Sequence, residues 1–195
     1  MRFGLLAAAA FLIVLGCRRD PPLPQEIWMP AAFAAIDPLT DDVKISRLRE
    51  TELLHSDIEL RVWIGFGMNR LEGLRITRRS NEWSAVYVKE DNHGRAGSTY
   101  ETQPSVSWDS LWDTLTRLGL LTLPDQSELK TMVHVLDGVS YVVEYIVGGD
   151  YRAYMYLNPH DQRGPEAKQI VEIVATLRRE LIQHLTVPEA VEPTL

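Results

Sequence analysis

The sequence is short of cysteine: its 195 residues include a single one, Cys17. No disulfide can therefore form within the chain, and the fold has to be stable without one. Long apolar runs are also missing after residue 16, so no later segment is predicted to span a membrane. Hydrophobic residues make up 45% and charged residues 24% of the chain, a composition typical of a globular domain that buries its own core.

Positive charge is scarce as well. The chain has 20 lysines and arginines against 27 aspartates and glutamates, which gives a formal net charge of −7. Affinity for nucleic acids comes mainly from basic side chains that neutralise phosphates, so no nucleic-acid partner is expected. The nearest approach to a basic cluster, formed by Arg75, Arg78 and Arg79, is predicted to be the solvated face of a strand.

Sequence motifs for catalysis and metal binding are missing too. There is no G-x-S-x-G nucleophile elbow, no P-loop and no G-x-G-x-x-G phosphate-binding turn. The five histidines include no i, i+4 pair, and the single cysteine cannot complete a set of metal ligands. The sequence therefore predicts neither a metal nor another cofactor.

The amino-terminal residues have the pattern of an export signal. Arg2 is followed by an apolar run of 13 residues, Phe3 to Leu15. As a helix this run would measure about 20 Å, which is shorter than the ~30 Å hydrocarbon core of a bilayer. The pattern predicts a signal peptide over residues 1–16.

This run ends in Val14-Leu15-Gly16-Cys17, which resembles the lipobox of bacterial lipoprotein precursors. The resemblance implies cleavage between Gly16 and Cys17, a thioether lipid on Cys17 and an acylated amino terminus. It also implies a membrane partner, reached through that lipid, and a location in the bacterial cell envelope, facing the periplasm or the exterior. Two or more acyl chains are enough for stable anchoring. An ordinary secretory signal followed by an unrelated cysteine is the alternative.

Residues 17–26 are predicted to form a tether behind the lipid. Three prolines, Pro21, Pro22 and Pro24, fix the backbone and remove amide donors, so this segment is expected to be extended. Residues 27–186 are then predicted to form a single domain, with a flexible tail over residues 187–195. The structure of residues 27–54 is left open.

Period-two alternation predicts two antiparallel meanders of three strands each. The first group covers residues 58–66, 74–77 and 83–89. The second covers residues 132–136, 139–147 and 150–157, with turns at Asp137-Gly138 and Gly148-Gly149. Residues 98–102 are either loop or a short strand, and whether both meanders belong to one sheet is open.

Two amphipathic helices are predicted, one between the meanders and one after them. The first begins after Ser107, a favoured N-cap, and ends before Gly119. The second begins at Pro165, a residue favoured in the first helical position. The predicted fold class is therefore α+β, an antiparallel sheet with both helices packed on one face.

The second meander places tyrosines on one face of the sheet. With two-residue turns the facing pairs are Tyr145 with Arg152, Val143 with Tyr154, Tyr141 with Tyr156, and His134 with Tyr141. The opposite face is more aliphatic and is assigned to the helices. The face expected to be open, a candidate binding face for a protein or small ligand, carries His134, Tyr141, Tyr145, Arg152, Tyr154 and Tyr156. Structural pairing of tyrosines within the sheet is the alternative.

Glu144 is predicted on the covered face, where an unpaired carboxylate would be costly. It is expected to lie near the sheet rim, to pair with a cation or hydroxyl, or to act as a catalytic acid with a raised pKa.

Three functions follow as hypotheses. The first is a lipid-anchored, non-catalytic binding or interaction module. The second is an envelope hydrolase that uses Glu144, His134 or the loop residues Asp91 and His93. The third is a structural accessory subunit of an envelope complex.

Overall fold

The computed structural model describes residues 19–20, 24–66, 69–91, 96–129, 132–133 and 138–185, with residues 19–20 and 132–133 described by their backbone alone. The predicted signal peptide and carboxy-terminal tail lie outside the described residues. So do Gly16, Cys17, His93 and His134, and what the sequence indicates for them stays a prediction.

Six strands form one antiparallel sheet, so the α+β class is confirmed. The strands are β1 (Ile58–Phe66), β2 (Asn69–Arg79), β3 (Glu82–Glu90), β4 (Gly97–Thr102), β5 (Ser140–Val147) and β6 (Asp150–Leu157). Their order across the sheet is β4-β3-β2-β1-β5-β6. The first predicted meander is confirmed as β1 to β3, and β4 is the short strand that the sequence left open.

The second predicted meander is wrong in its first strand. Met132–Val133 pairs with Arg19–Asp20 rather than with β5. The position beside Tyr141 that was assigned to His134 is taken by Ile64, because β5 lies between β1 and β6. Pairing of β5 with β1 on one side and β6 on the other joins both strand groups into one sheet.

The register predicted between β5 and β6 is confirmed. Tyr145 faces Arg152, and Tyr141 faces Tyr156. The turn between these strands uses Gly148 and Gly149 with positive φ values of 66° and 86°. Glycine adopts this left-handed region without the steric cost that a Cβ imposes, and the two-residue turn fixes the register.

Helices α2 (Trp108–Arg117) and α3 (Pro165–Leu181) pack on one face of the sheet, as the sequence predicts. The N-cap of α2 is Ser107, whose Oγ accepts a hydrogen bond from the Ser110 amide at 3.2 Å. Gly119 follows α2 with a φ of 92°. Local capping and periodicity therefore determine both helices.

A further helix, α1 (Gln25–Asp42), covers the opposite face and was not predicted. Its 18 residues measure about 27 Å, close to the ~24 Å that five strand spacings require. At one end Gln25 Nε2 donates to the Ala153 carbonyl on edge strand β6, and at the other Asp42 accepts from the Gly97 amide on edge strand β4. Helix α1 therefore crosses the whole sheet, and its first two residues lie within the predicted tether.

The buried side of α1 follows helical spacing, with Trp28, Ala32 and Ile36 each four residues apart. This side packs in one apolar cluster with Trp63 of β1. Gly73 faces Trp63 across the β1–β2 pair, and a Cβ there would lie 2.3 Å from the indole ring. A side chain at residue 73 would therefore displace the tryptophan that lies at the centre of this cluster. Within the described residues no helix is long and apolar enough to cross a bilayer.

Candidate functional site

The tyrosine face is buried, so its prediction as an open binding face is wrong. Tyr154 and Tyr156 are 0% and 1% exposed, and Tyr141 and Tyr145 are also buried. They belong to the core that the sheet forms with α2 and α3. Helices α2 and α3 cover this face, where each tyrosine hydroxyl finds a hydrogen-bond partner, and α1 covers the more aliphatic face.

Those partners come mostly from the chain segment that follows α2. Tyr154 and Tyr145 donate hydrogen bonds of 2.9 Å to the carbonyls of Leu120 and Leu121. Tyr156 donates to the Pro124 carbonyl at 2.8 Å. These bonds satisfy the polar tips of rings that would otherwise be costly to bury.

Arg152 holds the same segment. Its guanidinium donates to the carbonyls of Leu121 and Leu123 at 3.0 and 2.5 Å. Tyr141 is bonded elsewhere, with its hydroxyl 2.8 Å from His160 Nε2. These side chains therefore have a structural role, which is the alternative that the sequence analysis gave for them.

Glu144 is 1% exposed and pairs with a cation and a hydroxyl, as one of its three predicted environments required. Its carboxylate accepts hydrogen bonds from Trp63 Nε1 at 3.0 Å and the Tyr151 hydroxyl at 3.3 Å, and it lies 3.6 Å from Arg61. Burial raises the pKa of Glu144 despite these partners. The side chain does not lie at the rim of the sheet.

Beside Glu144 lies an ionic cluster that the sequence did not predict. Glu59 and Arg61 on β1 are each 1% exposed, and they are joined by a 2.7 Å ion pair. Arg75 and Arg79, both partly exposed, bind the same Glu59 carboxylate at 2.8 and 2.6 Å. Arg61 also donates to the Ser46 carbonyl at 2.6 Å, which ties the cluster to the segment after α1.

Arg75 and Arg61 lower the pKa of Glu59. Burial by itself raises the pKa of this carboxyl, but hydrogen bonds and charges from Arg75 and Arg61 outweigh burial and hold the pKa below its ordinary value.

Strict alternation assigned Glu59 and Arg61 to a solvated face. A signal that could have corrected this is Trp63, a large apolar residue in the same alternating set.

Three tryptophans close the edge of the core near α2. Trp83 on β3 stacks on Trp108 with ring centroids 5.6 Å apart and planes 11° apart, and it contacts Trp112 at 5.4 Å. Leu111 and Leu115 on the same helix are buried beneath them. The apolar stripe of α2 is therefore core packing, the simpler interpretation of its sequence.

An open groove lies along α1 between Gln25 and Asp37, beside Arg49. Its volume is about 810 Å³, and its lining residues are Gln25, Glu26, Met29, Pro30, Phe33, Ala34, Asp37 and Arg49. We call this surface the α1 groove. Its middle is apolar, and polar side chains stand at its two ends.

The wall of the α1 groove is held rigidly. Arg49 forms a two-pronged ion pair with Asp37, with hydrogen bonds of 2.8 and 2.6 Å. The same guanidinium lies 4.6 Å from the ring centroid of Phe33, close enough for a cation–π contact. Phe33 is 5% exposed and anchored in the cluster beneath α1, so this part of the surface is formed in advance of any ligand.

Comparison with known proteins finds no protein-family model that matches the sequence and no curated protein with significant similarity to it. Within the described part of the chain, no group of three or more His, Cys, Asp or Glu side chains is placed to hold a metal ion. The α1 groove, the ionic cluster and the closed tyrosine core are therefore the features from which a function is inferred.

Proposed function

We propose that the protein is a lipid-anchored, non-catalytic binding module of the bacterial cell envelope, and that it contacts its ligand through the α1 groove. The groove takes the role for which the sequence favoured the tyrosine face, because the side chains of that face are buried.

The α1 groove is the observation that carries the binding role. The groove is open along its length, so it suits surface contact with another molecule rather than enclosure of a small ligand. Apolar contact area at Met29, Pro30 and Ala34 supplies affinity, and the Arg49–Asp37 pair supplies directional polar contacts. A surface that is largely preformed loses little conformational entropy when a ligand binds.

The buried carboxylates support a non-catalytic role. Glu144 and Glu59 are each 1% exposed and bonded to arginine, tryptophan or tyrosine side chains. A general acid or base has to come within hydrogen-bond reach of its substrate, and these carboxylates are instead used to join strands and loops. The hydrolase hypothesis named Glu144, His134, Asp91 and His93, and burial of Glu144 removes the first of these candidates, while His93 and His134 lie outside the described residues.

The anchor is inferred from the lipobox resemblance at Cys17. Helix α1 begins eight residues later, at Gln25. Eight extended residues span at most about 28 Å, so a lipid on Cys17 would keep the first turn of α1 near the bilayer surface. The proposal therefore places the α1 groove close to the membrane.

Expressed in a bacterial host, the wild-type chain is expected to incorporate an alkyne analogue of palmitate and to sediment with membranes. Cys17→Ala is expected to lose the label completely, because the thioether and the new amino terminus both require that residue. Gel fluorescence after click chemistry measures the label. Persistent labelling of Cys17→Ala would disprove the anchor.

The same host tests the α1 groove. A photo-crosslinking residue at Ala34, inside the groove, is expected to give a discrete adduct on illumination in intact cells. Ala175, an exposed alanine on α3, is the matched control and is expected to give none. Equal adducts at both positions, or none at Ala34 while the protein is labelled and membrane-bound, would count against the groove as the contact surface.

A further inference from the structure

We propose that two copies of this chain pair through the free edge of strand β4, in an antiparallel arrangement that sets Tyr100 of one copy opposite Tyr100 of the other. The pairing joins the two six-stranded sheets into one. The edge of β4 is a different surface from the α1 groove, so this inference does not depend on the proposed function.

The two edge strands of the sheet differ in how they are protected. On β6, the amides of Met155 and Leu157 donate to the side chains of Asp125 and Gln126 at 2.9 and 2.7 Å. Gln25 donates to a carbonyl of the same strand. These side chains occupy the positions that the backbone of a further strand would use, so β6 is protected against pairing with another chain.

The backbone of β4 leaves hydrogen-bonding groups open. The Gly97 amide donates to Asp42 at 2.5 Å, so it points away from β3. Direction alternates along an antiparallel strand, so the amides and carbonyls of Thr99 and Glu101 point away from β3 as well. Both residues are exposed, and within the described residues nothing bonds to these backbone groups. They are therefore open to a further strand.

The strand also lacks the features that commonly prevent pairing between sheet edges. Its six residues, Gly97–Thr102, include no proline and no lysine. Its register with β3 is unbroken along this length, so no bulge turns the edge away. An exposed and regular edge of this kind is a template for backbone pairing.

The open groups select one symmetric register. A pair centred on Thr99 would need the Gly97 amide, which is already bonded to Asp42. A pair centred on Glu101 would set two carboxylates directly opposite each other, which is destabilising. The register that uses both open residues is centred on Tyr100, and it sets Thr99 of each copy opposite Glu101 of the other.

This register also matches the side chains. Each Thr99–Glu101 pair exchanges two backbone hydrogen bonds, so the two pairs contribute about four. The Thr99 hydroxyl faces the Glu101 carboxylate of the second copy and can donate to it. On the other face of the sheet, Tyr100 already contacts Tyr87 with ring centroids 6.1 Å apart, and the second Tyr100 extends this contact as a cross-strand aromatic pair. The edge of β4 is therefore complementary to itself.

Cysteine crosslinking tests the pairing and its register. Tyr100→Cys places two thiols on facing positions, within the Cα separation of about 4.4–6.8 Å that a disulfide requires. Ser98→Cys is the matched control, because Ser98 lies on the same face of β4 but faces residue 102 of the second copy. Full-length protein in detergent is oxidised mildly and analysed on a non-reducing gel, with the wild-type chain as the background for Cys17.

Tyr100→Cys is expected to give at least about tenfold more disulfide-linked dimer than Ser98→Cys. Ser98 is more exposed than Tyr100, so accidental collisions would favour the control instead. Equal crosslinking at the two positions, or no crosslinking of a folded Tyr100→Cys, would overturn the inference. Circular dichroism verifies that both variants are folded.

Sedimentation equilibrium of the wild type and of Thr99→Pro tests the pairing with Tyr100 intact. Proline at residue 99 removes an amide that points away from β3, so the sheet within each copy keeps its hydrogen bonds while each half of the pair loses one. The wild-type mass should rise from one chain towards two over a concentration series, and Thr99→Pro should stay at one. A wild type that stays single throughout, or equal association of Thr99→Pro, would contradict the pairing.

Discussion

Glu59→Gln is expected to lower the free energy of unfolding by about 3–5 kcal/mol. The Glu59 carboxylate binds three guanidinium groups, and Arg61 is 1% exposed. A neutral amide would leave that buried cation with the Ser46 carbonyl and the more distant Glu144 carboxylate, at 3.6 Å. Removal of one partner from a buried ion pair is costly because the remaining charge loses its compensation.

Glu144→Gln is the matched control, because this residue is equally buried but its pKa is shifted the other way. Its amide oxygen can still accept the hydrogen bond from Trp63 Nε1, and its NH₂ group can donate to the Tyr151 hydroxyl oxygen. It also removes a carboxylate that burial disfavours in its ionised form. We expect a loss below about 1 kcal/mol at neutral pH.

The two variants should also differ in their dependence on pH. The pKa of folded Glu59 is lowered, so its contribution is present above the unfolded value of about 4.3 and is lost as pH falls through the folded value. The pKa of folded Glu144 is raised, so its contribution is present at low pH and is lost as pH rises through the folded value.

Urea denaturation between acidic and neutral pH measures both effects. The difference in free energy of unfolding between wild type and Glu59→Gln should increase as pH rises. The free energy of unfolding of Glu144→Gln should instead rise relative to that of wild type over the same pH interval. A loss below about 1 kcal/mol for Glu59→Gln at neutral pH would contradict the assignment of Glu59 as the centre of the cluster.

Tyr154→Ala is expected to cost about 3–5 kcal/mol, the range for removing a fully buried aromatic ring. Tyr154 is 0% exposed, and its hydroxyl donates to the Leu120 carbonyl at 2.9 Å. Tyr154→Phe keeps the ring and loses that hydrogen bond, so it should cost about 1–2 kcal/mol. The ordering of the two variants separates ring packing from the hydroxyl bond.

Tyr100→Phe on edge strand β4 is the control, since this residue is only half-buried. We expect a change within about 0.5 kcal/mol. A solvent-exposed binding face would instead tolerate Tyr154→Ala with little loss of stability. Thermal and urea unfolding of the three variants distinguish these outcomes.

The elements with strong local signals were predictable from the sequence. Alternation located β1, β2, β3, β5 and β6, and two glycines fixed the β5–β6 register. Capping at Ser107 and Pro165 located α2 and α3. In each case the residues that define the element lie close together in the sequence.

Helix α1 was not predictable in the same way. Pro30 and Pro38 lie inside it, and its apolar residues are spread around much of its circumference. Proline is a signal against a helix interior, yet both prolines lie on the exposed side of α1, and the helix gains its stability from packing on the sheet. The α1 groove depends on this helix, so the sequence did not predict the groove either.

The assignment of buried faces required contacts distant in sequence. Strand β1 pairs with both β2 and β5, and helices cover both sides of it, so Glu59 and Arg61 are as buried as Leu60. Alternation predicts a strand with one buried and one solvent-exposed face, whereas both faces of β1 are buried. The tyrosine face was misassigned for the same reason, because the carbonyls that its hydroxyls need come from residues 120–124.

Methionine footprinting tests the central claim, that the α1 groove is a contact surface while the tyrosine face is core. Met29 lines the groove, and Met155 is buried beneath α1 as an internal reference. Hydroxyl-radical oxidation is compared between native membranes and the purified full-length chain in nanodiscs. We expect Met29 to be oxidised in the purified protein and protected in membranes, with Met155, Tyr154 and Tyr156 unreactive in both. Equal oxidation of Met29 in the two samples, or strong labelling of Tyr154 in the purified protein, would contradict the account.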